Sequence, residues 1–141
     1  MKSIILIAPP SAGKGTISKI LCEEYSIPHI STGDLLRAAI QNEDEQGNYI
    51  KQQMNQGNLV SDEIIIKLVE DRITEADCSN GYILDGFPRN IKQAEIYDKF
   101  LSQNNIEQGI TILLDISKEQ AKKRILGRVS CPNCGAVYNI Y

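Results

Sequence analysis

Apolar positions along this chain alternate between short unbroken runs and longer stretches with helical spacing. Ile4, Ile5, Leu6, Ile7 and Ala8 form one unbroken run, short and β-branched, which predicts a buried strand. Prolines and small residues follow, and from about Gly15 the spacing becomes helical. Ile17, Ile20 and Leu21 fall on one face down to Tyr25, a stripe expected to pack on a sheet. Ile27 to Ile30 is the next strand. Ser31 and Asp34 then stand at capping-box spacing and open a helix through Leu35, Leu36 and Ala39. From Gln41 to Gly57 the chain turns polar, and only Ile50 and Met54 keep helical spacing, which predicts a small, mobile subdomain that buries little. Ser61 or Asp62 caps a helix whose Ile64, Ile65, Leu68, Val69 and Ile73 make a wide apolar face. Gly81 to Leu84 is a third strand, delivering Asp85-Gly86-Phe87-Pro88-Arg89 to its carboxyl end. A helix through Ala94, Tyr97 and Leu101 leads to a fourth strand, Ile110 to Leu114, expected to be buried and ending in Asp115. Ser117 and Gln120 repeat the capping-box spacing before a helix holding Ala121 and Ile125. Arg124 and Arg128, four apart, are expected to share one face of it.

Strands alternating with helices predict an α/β fold: a parallel sheet with helices on both faces, joined by right-handed crossovers. Ligands of such sheets bind at the carboxyl ends of the strands. The loop after the first strand, Ser31 to Asp34, Asp85 to Arg89 and Asp115 would all emerge there. No internal repeat or low-complexity tract is present.

Composition narrows the function. A chain of 141 residues suits one compact domain, and 15 basic against 18 acidic residues leave a net charge of −3 with no basic block, which argues against a nucleic-acid coat. No run has the apolar length of a membrane span, and the N-terminus enters a core strand after a single lysine, so a soluble, cytoplasmic protein is expected. Cys22 and Cys78 stand alone as packing residues. Cys131 and Cys134 form a C-x-x-C, which points to metal or redox chemistry more than to a structural disulfide. His29, the single histidine, lies beside Ile30 and is expected in the core.

The chemistry concentrates between Ala8 and Thr16, close to the phosphate-loop pattern G-x-x-x-x-G-K-[ST]. Small residues let several backbone N–H groups converge on one phosphate, Lys14 adds a mobile charge, and the helix beginning near Gly15 turns its positive end to the same point. Ala8 stands where the first glycine is expected, and Thr16 comes one place late. Asp85, at a strand end, is placed to hold Mg²⁺ through water. Arg37, Arg89, Arg124 and Arg128 are planar forks that grip phosphates bidentately. Phosphoryl transfer between two nucleotides needs these parts: cations around the transferring group, a metal anchor and separate donor and acceptor sites.

GKGT, STGDLLR, DGFPR with Gln93 after it, and the RILGR helix followed by CPNCG together resemble adenylate kinase, in register over essentially the whole chain. The resemblance implies a P-loop NTPase-like α/β core over residues 1–128. Residues 31–60 would be an inserted, mobile AMP-binding subdomain, and residues 129–141 the start of a lid over ATP, with the last strand and helix of the family missing. It implies ATP and AMP as partners and Mg²⁺ as cofactor. Gly13, Lys14, Gly15 and Thr16 would bind the ATP phosphates, with Arg124 along the base and Arg128 against the phosphates. Thr32, Arg37, Val60, Gly86, Arg89 and Gln93 would form the AMP site, Arg37 and Arg89 on its phosphate and Gln93 at its adenine. Lys14, Arg89 and Arg128 would carry catalysis.

Two departures from the family pattern alter the expectations. Ala8 and Ser11 replace loop glycines, predicting a backbone less free to reach positive φ. Lids of this type hold one zinc between two cysteine pairs, so Cys131 and Cys134 supply half of a tetrahedral site, and zinc belongs to a longer form. The 141-residue chain is then expected to bind adenine nucleotides weakly and to transfer phosphate poorly or not at all. The full-length form would be a monomer, while an exposed sheet edge invites the shorter chain to self-associate. The competing readings are a UMP or CMP kinase, since Phe87-Pro88-Arg89-Asn90 occurs in those relatives too, a noncatalytic nucleotide-binding module, and a zinc-ribbon interaction domain.

Overall fold

The computed structural model describes residues 2–141. Four strands, β1 (Lys2–Ile7), β2 (His29–Ser31), β3 (Gly81–Asp85) and β4 (Ile110–Leu113), form one all-parallel sheet in the order β2-β3-β1-β4. The helices are α1 (Lys14–Tyr25), α2 (Thr32–Gln41), α3 (Glu45–Asn55), α4 (Asp62–Ile73), α5 (Ile91–Gln103) and α6 (Lys118–Leu126), with a short 3-10 turn at Ala76–Cys78. An antiparallel hairpin, β5 (Arg128–Ser130) and β6 (Val137–Asn139), follows α6.

Strand alternation divides the core in two. Ile5, Ile30, Tyr82 and Leu84 face α4 and α5, where Ile66, Val69, Ile73, Tyr97 and Leu101 close over them. Leu6 and Ile83 face the other way, onto Ile27 and the half-buried Leu21 and Cys22 of α1. Within the first layer the Tyr82 and Tyr97 hydroxyls bond each other at 2.7 Å, and burial raises both their pKa values.

The stripe expected on α1 is rotated. Ile20 is exposed, and the buried residue is Ser18, whose hydroxyl donates to the Lys14 carbonyl at 2.9 Å and so enters the interior satisfied. Arg128 lies outside α6, not four residues along its face. Gly127 ends the helix, donating to the Lys123 carbonyl and accepting from the Ile140 N–H, so the chain leaves as a strand before Arg128. Of the expected caps, Ser117 accepts from the Gln120 N–H at 3.2 Å. Ser31 and Ser61 hold the N-cap positions without a side-chain cap bond; Asp34 pairs with Arg37 instead.

The polar segment after Gln41 buries more than its composition suggests. Asp44 caps α3 by accepting from the Gly47 N–H at 2.6 Å, and Gly47 lies so close to α2 that an added Cβ would stand 2.5 Å from the Ala39 carbonyl oxygen. That approach seals Ile50 against Ala39 and Val60, with Leu36, Ile64 and Leu68 around them, as a separate core. Ile50→Ala is expected to cost about 3 kcal/mol, the usual range for emptying a buried aliphatic site, read by denaturant unfolding. Because this core meets the sheet layer through α4 and Ile65 and not through the strands, α3 should lose more amide-exchange protection than β1 and β3.

β4 is the opposite case. The fourth strand, expected to be buried, lies at the sheet edge: among the described residues it pairs with β1 alone, and Ile110 and Leu113 are exposed, as are Ile125 and Leu126 on α6. No helix among the described residues is long and apolar enough to cross a membrane.

Candidate functional site

The site lies where β1, β2 and β3 end. Ile83 faces α1, so Asp85, two residues on, reaches the same face, above the first turn of that helix. Lys14 opens α1, and its Nζ stands 2.6 Å from Asp85 Oδ1. In the parallel register His29 lies opposite Ile83, so it also shares that face, and its Nε2 is 3.1 Å from Asp85 Oδ2. His29 is therefore not a core residue: Ile30 takes the buried side of β2, and strand parity turns its neighbour outward to the carboxylate.

The loop between β1 and α1 takes its shape from two left-handed residues, Ser11 at φ 62° and Gly13 at φ 91°. Ser11 thus adopts the conformation expected to be difficult for it, and its carbonyl accepts from Arg124 Nη1 at 3.3 Å. A non-glycine residue in that region costs about 1–2 kcal/mol, and glycine gives back about 0.5–1 kcal/mol in unfolded-state freedom. Ser11→Gly should therefore raise stability by up to about 1 kcal/mol, visible as a higher melting temperature. Gly15 and Thr16 are exposed on the first turn of α1, where backbone N–H groups lack helical partners.

One residue past Asp85 a second cluster begins. Gly86 has φ 78°, and its carbonyl accepts from Arg89 Nε at 2.7 Å and from the Thr32 hydroxyl at 3.3 Å. Arg89 Nη2 donates to Thr32 Oγ1 at 3.1 Å. A Cβ on Gly86 would stand 3.0 Å from Arg89 Nη2, so glycine serves both the backbone angle and the seat of the guanidinium. Gln93 is buried beneath. Its Oε1 accepts from the Arg89 N–H at 2.8 Å and its Nε2 donates to Asp62, while Asn90 accepts from the Gln93 N–H. Val60 is buried in the small core with Ala39 and Ile50.

The structure thus brings together Gly13, Lys14, Asp85, Gly86, Arg89, Thr32, Gln93 and Arg124. Arg37 is exposed on α2 and paired with Asp34, whose carboxyl that guanidinium holds below its usual range. Arg128 is exposed at the start of β5, and among the described contacts nothing ties it to the loop. Cys131 and Cys134 flank the turn of the hairpin, closed by the Cys131 N–H on the Ala136 carbonyl at 2.8 Å and the Gly135 N–H on the Cys131 carbonyl at 2.9 Å. Both are free thiols; the Cys134 backbone N–H, with help from that of Asn133, lowers the pKa of Cys131. Among the described residues no three metal-ligating side chains gather, and two cysteines alone are too few for a tetrahedral zinc site. Mg²⁺ asks for less: one carboxylate beside a phosphate loop suits a cation that keeps most of its water. Cys78 is buried, and burial pushes its thiol up to about 11, as expected of an inert packing residue.

Sequence reading missed His29 and Asp62 as members of the site. His29 carries a usable signal, its alternation with Ile30 at a strand end. Asp62 carries none, because its contact with Gln93 crosses from α4 to α5.

Comparison with known proteins matches residues 6–136 to the family model described as adenylate kinase. Proteins named adenylate kinase are similar throughout. That of Ruminiclostridium cellulolyticum is 50% identical over 137 residues, 97% of this chain and 64% of the relative. Those of Clostridium novyi and Clostridium tetani are each 49% identical, over 97% and 98% of this chain and 63% and 64% of the relative. The chain therefore spans a little under two thirds of the length of these curated relatives.

Proposed function

This chain belongs to the adenylate kinase family, and from that premise we propose that it acts as a nucleoside monophosphate kinase, moving the γ-phosphoryl group of ATP to AMP. The observation that carries this reading is the adjacency of Asp85, held by Lys14, and Gly86, held by Arg89 and Thr32. A donor cation and an acceptor cluster meet across one peptide bond, the proximity that a direct transfer requires.

In this reading the amides of Gly13, Lys14, Gly15 and Thr16 receive the donor phosphates, and Lys14 exchanges Asp85 for them. Mg²⁺, when bound, offsets the negative charge of the phosphates. Asp85 is the carboxylate that would hold it, through water. Arg124, already over the loop at the Ser11 carbonyl, lies along the donor base, and Arg128 swings in with the hairpin, which acts as part of a lid. Residues 31–60 form the acceptor subdomain: Arg89 and Arg37 take the AMP phosphate, Arg37 by leaving Asp34, while Thr32, Val60 and Gly86 shape the pocket. Gln93 reads adenine by giving up its bond to Asp62.

The hairpin is exposed, its Val137 and Tyr138 included. Water would reach the phosphates, and turnover by the 141-residue chain is expected to be slow. The free β4 edge and the apolar surface of α6 favour self-association of this chain. A cytoplasmic setting fits a protein that consumes free nucleotides. The test is ³¹P NMR of ATP mixed with AMP, UMP or CMP. ADP formed fastest with AMP supports the proposal; faster turnover with UMP or CMP would move the acceptor to a pyrimidine, and nucleotide binding without any transfer would leave a noncatalytic module.

A further inference from the structure

Asp85 has two partners, one on each oxygen, and its side chain is 14% exposed. The proposed phosphoryl transfer draws Lys14 away to the donor phosphates, and the role inferred for His29 rests on that reaction. A carboxylate released on one side would then be free to rotate or to turn toward the departing ammonium. We propose that His29 is a positioning residue for Asp85: its Nε2 keeps Oδ2 when Lys14 leaves, so that Oδ1 stays aimed at the water around a bound divalent cation. The geometry supports a fixed hold. β2 and β3 are paired through His29 to Ile83 and Ser31 to Asp85, so two backbones set the separation of imidazole and carboxylate. The ring, with its side chain 32% exposed, reaches the carboxylate oxygen that Lys14 does not hold, at 3.1 Å. Partners that orient a metal-facing carboxylate typically contribute about 10- to 100-fold to metal affinity.

The test measures ATP affinity by calorimetry with excess Mg²⁺ and again with EDTA, for the 141-residue chain and three variants. Glutamine carries an amide nitrogen near the position of Nε2, whereas asparagine carries one near Nδ1. His29→Ala and His29→Asn are expected to lower the Mg²⁺-dependent gain in affinity by about tenfold, with metal-free affinity changed less than twofold, and His29→Gln should restore the gain. Comparing the two amide variants keeps the test valid should the alanine variant lose its fold. Equal losses with and without Mg²⁺, an unchanged gain in His29→Asn, or a failure of His29→Gln to restore it would overturn the assignment. A wild-type chain whose ATP affinity ignores Mg²⁺ would likewise overturn it, whereas one that binds no ATP with or without the metal would overturn the functional reading beneath.

Discussion

Lys14→Ala should weaken ATP binding about 100-fold, near 3 kcal/mol, the upper end for loss of hydrogen bonds to a charged group. Lys14 is held by Asp85 and opens α1, directly after the left-handed Gly13 of the loop, on the turn where backbone N–H groups lack helical partners. Removing it leaves Asp85 facing the incoming phosphates with only His29 to hold it, so repulsion adds to the lost attraction. The fold should persist, because none of the three core clusters includes Lys14. Isothermal calorimetry on the variant checks this, with circular dichroism as the control for folding. An unchanged affinity would mean that the loop is not a phosphate site.

Arg89→Lys is expected to weaken AMP binding by about 10- to 100-fold, although charge is conserved. The guanidinium does two things that an ammonium does not do together. Nε fixes the Gly86 carbonyl while Nη2 reaches Thr32, leaving the rest of the fork directed outward as a rigid plane. A lysine could satisfy one of these acceptors and would lose the planar fit to phosphate. AMP titration with ATP affinity measured in parallel separates the acceptor site from the donor site. ATP affinity should change less than threefold, and an equal loss for both nucleotides would indicate damage to the whole cleft.

How much of the fold and site was legible in the sequence depends on where each signal resides. β1 and β3 were readable because a strand covered on both faces is an unbroken apolar run, as in Ile4 to Ile7 and Tyr82 to Leu84; β4 carries a similar apolar run but lies exposed at the sheet edge. The loop around Lys14 and the segment Asp85 to Arg89 were each readable because their own residues are close along the chain, although the contacts that join them to each other and to Thr32 are not. Contacts that cross the fold were not. Gln93 with Asp62, and His29 with Asp85, depend on which strands and helices become neighbours. The rotation of α1 escaped for a related reason: Ser18 is polar in composition but satisfied by its own helix, so its burial leaves no trace in an apolar pattern. The end of α6 was misplaced because Arg124 and Arg128 have helical spacing, while Gly127 between them, joined to Ile140, stops the helix. In α3, one residue in an otherwise polar helix decides the packing, since Gly47 allows the approach to α2 that buries Ile50.

The central claim is that donor and acceptor nucleotides meet at neighbouring positions on the ends of β1 and β3. Backbone ¹⁵N chemical shifts recorded through successive additions of Mg²⁺·ATP and AMP test it residue by residue. The amides of Gly13 to Thr16 should move with the first ligand and those of Thr32, Gly86 and Arg89 with the second, with Asp85 responding to both. Shifts confined to another surface, or the same residues moving identically with either nucleotide, would contradict it.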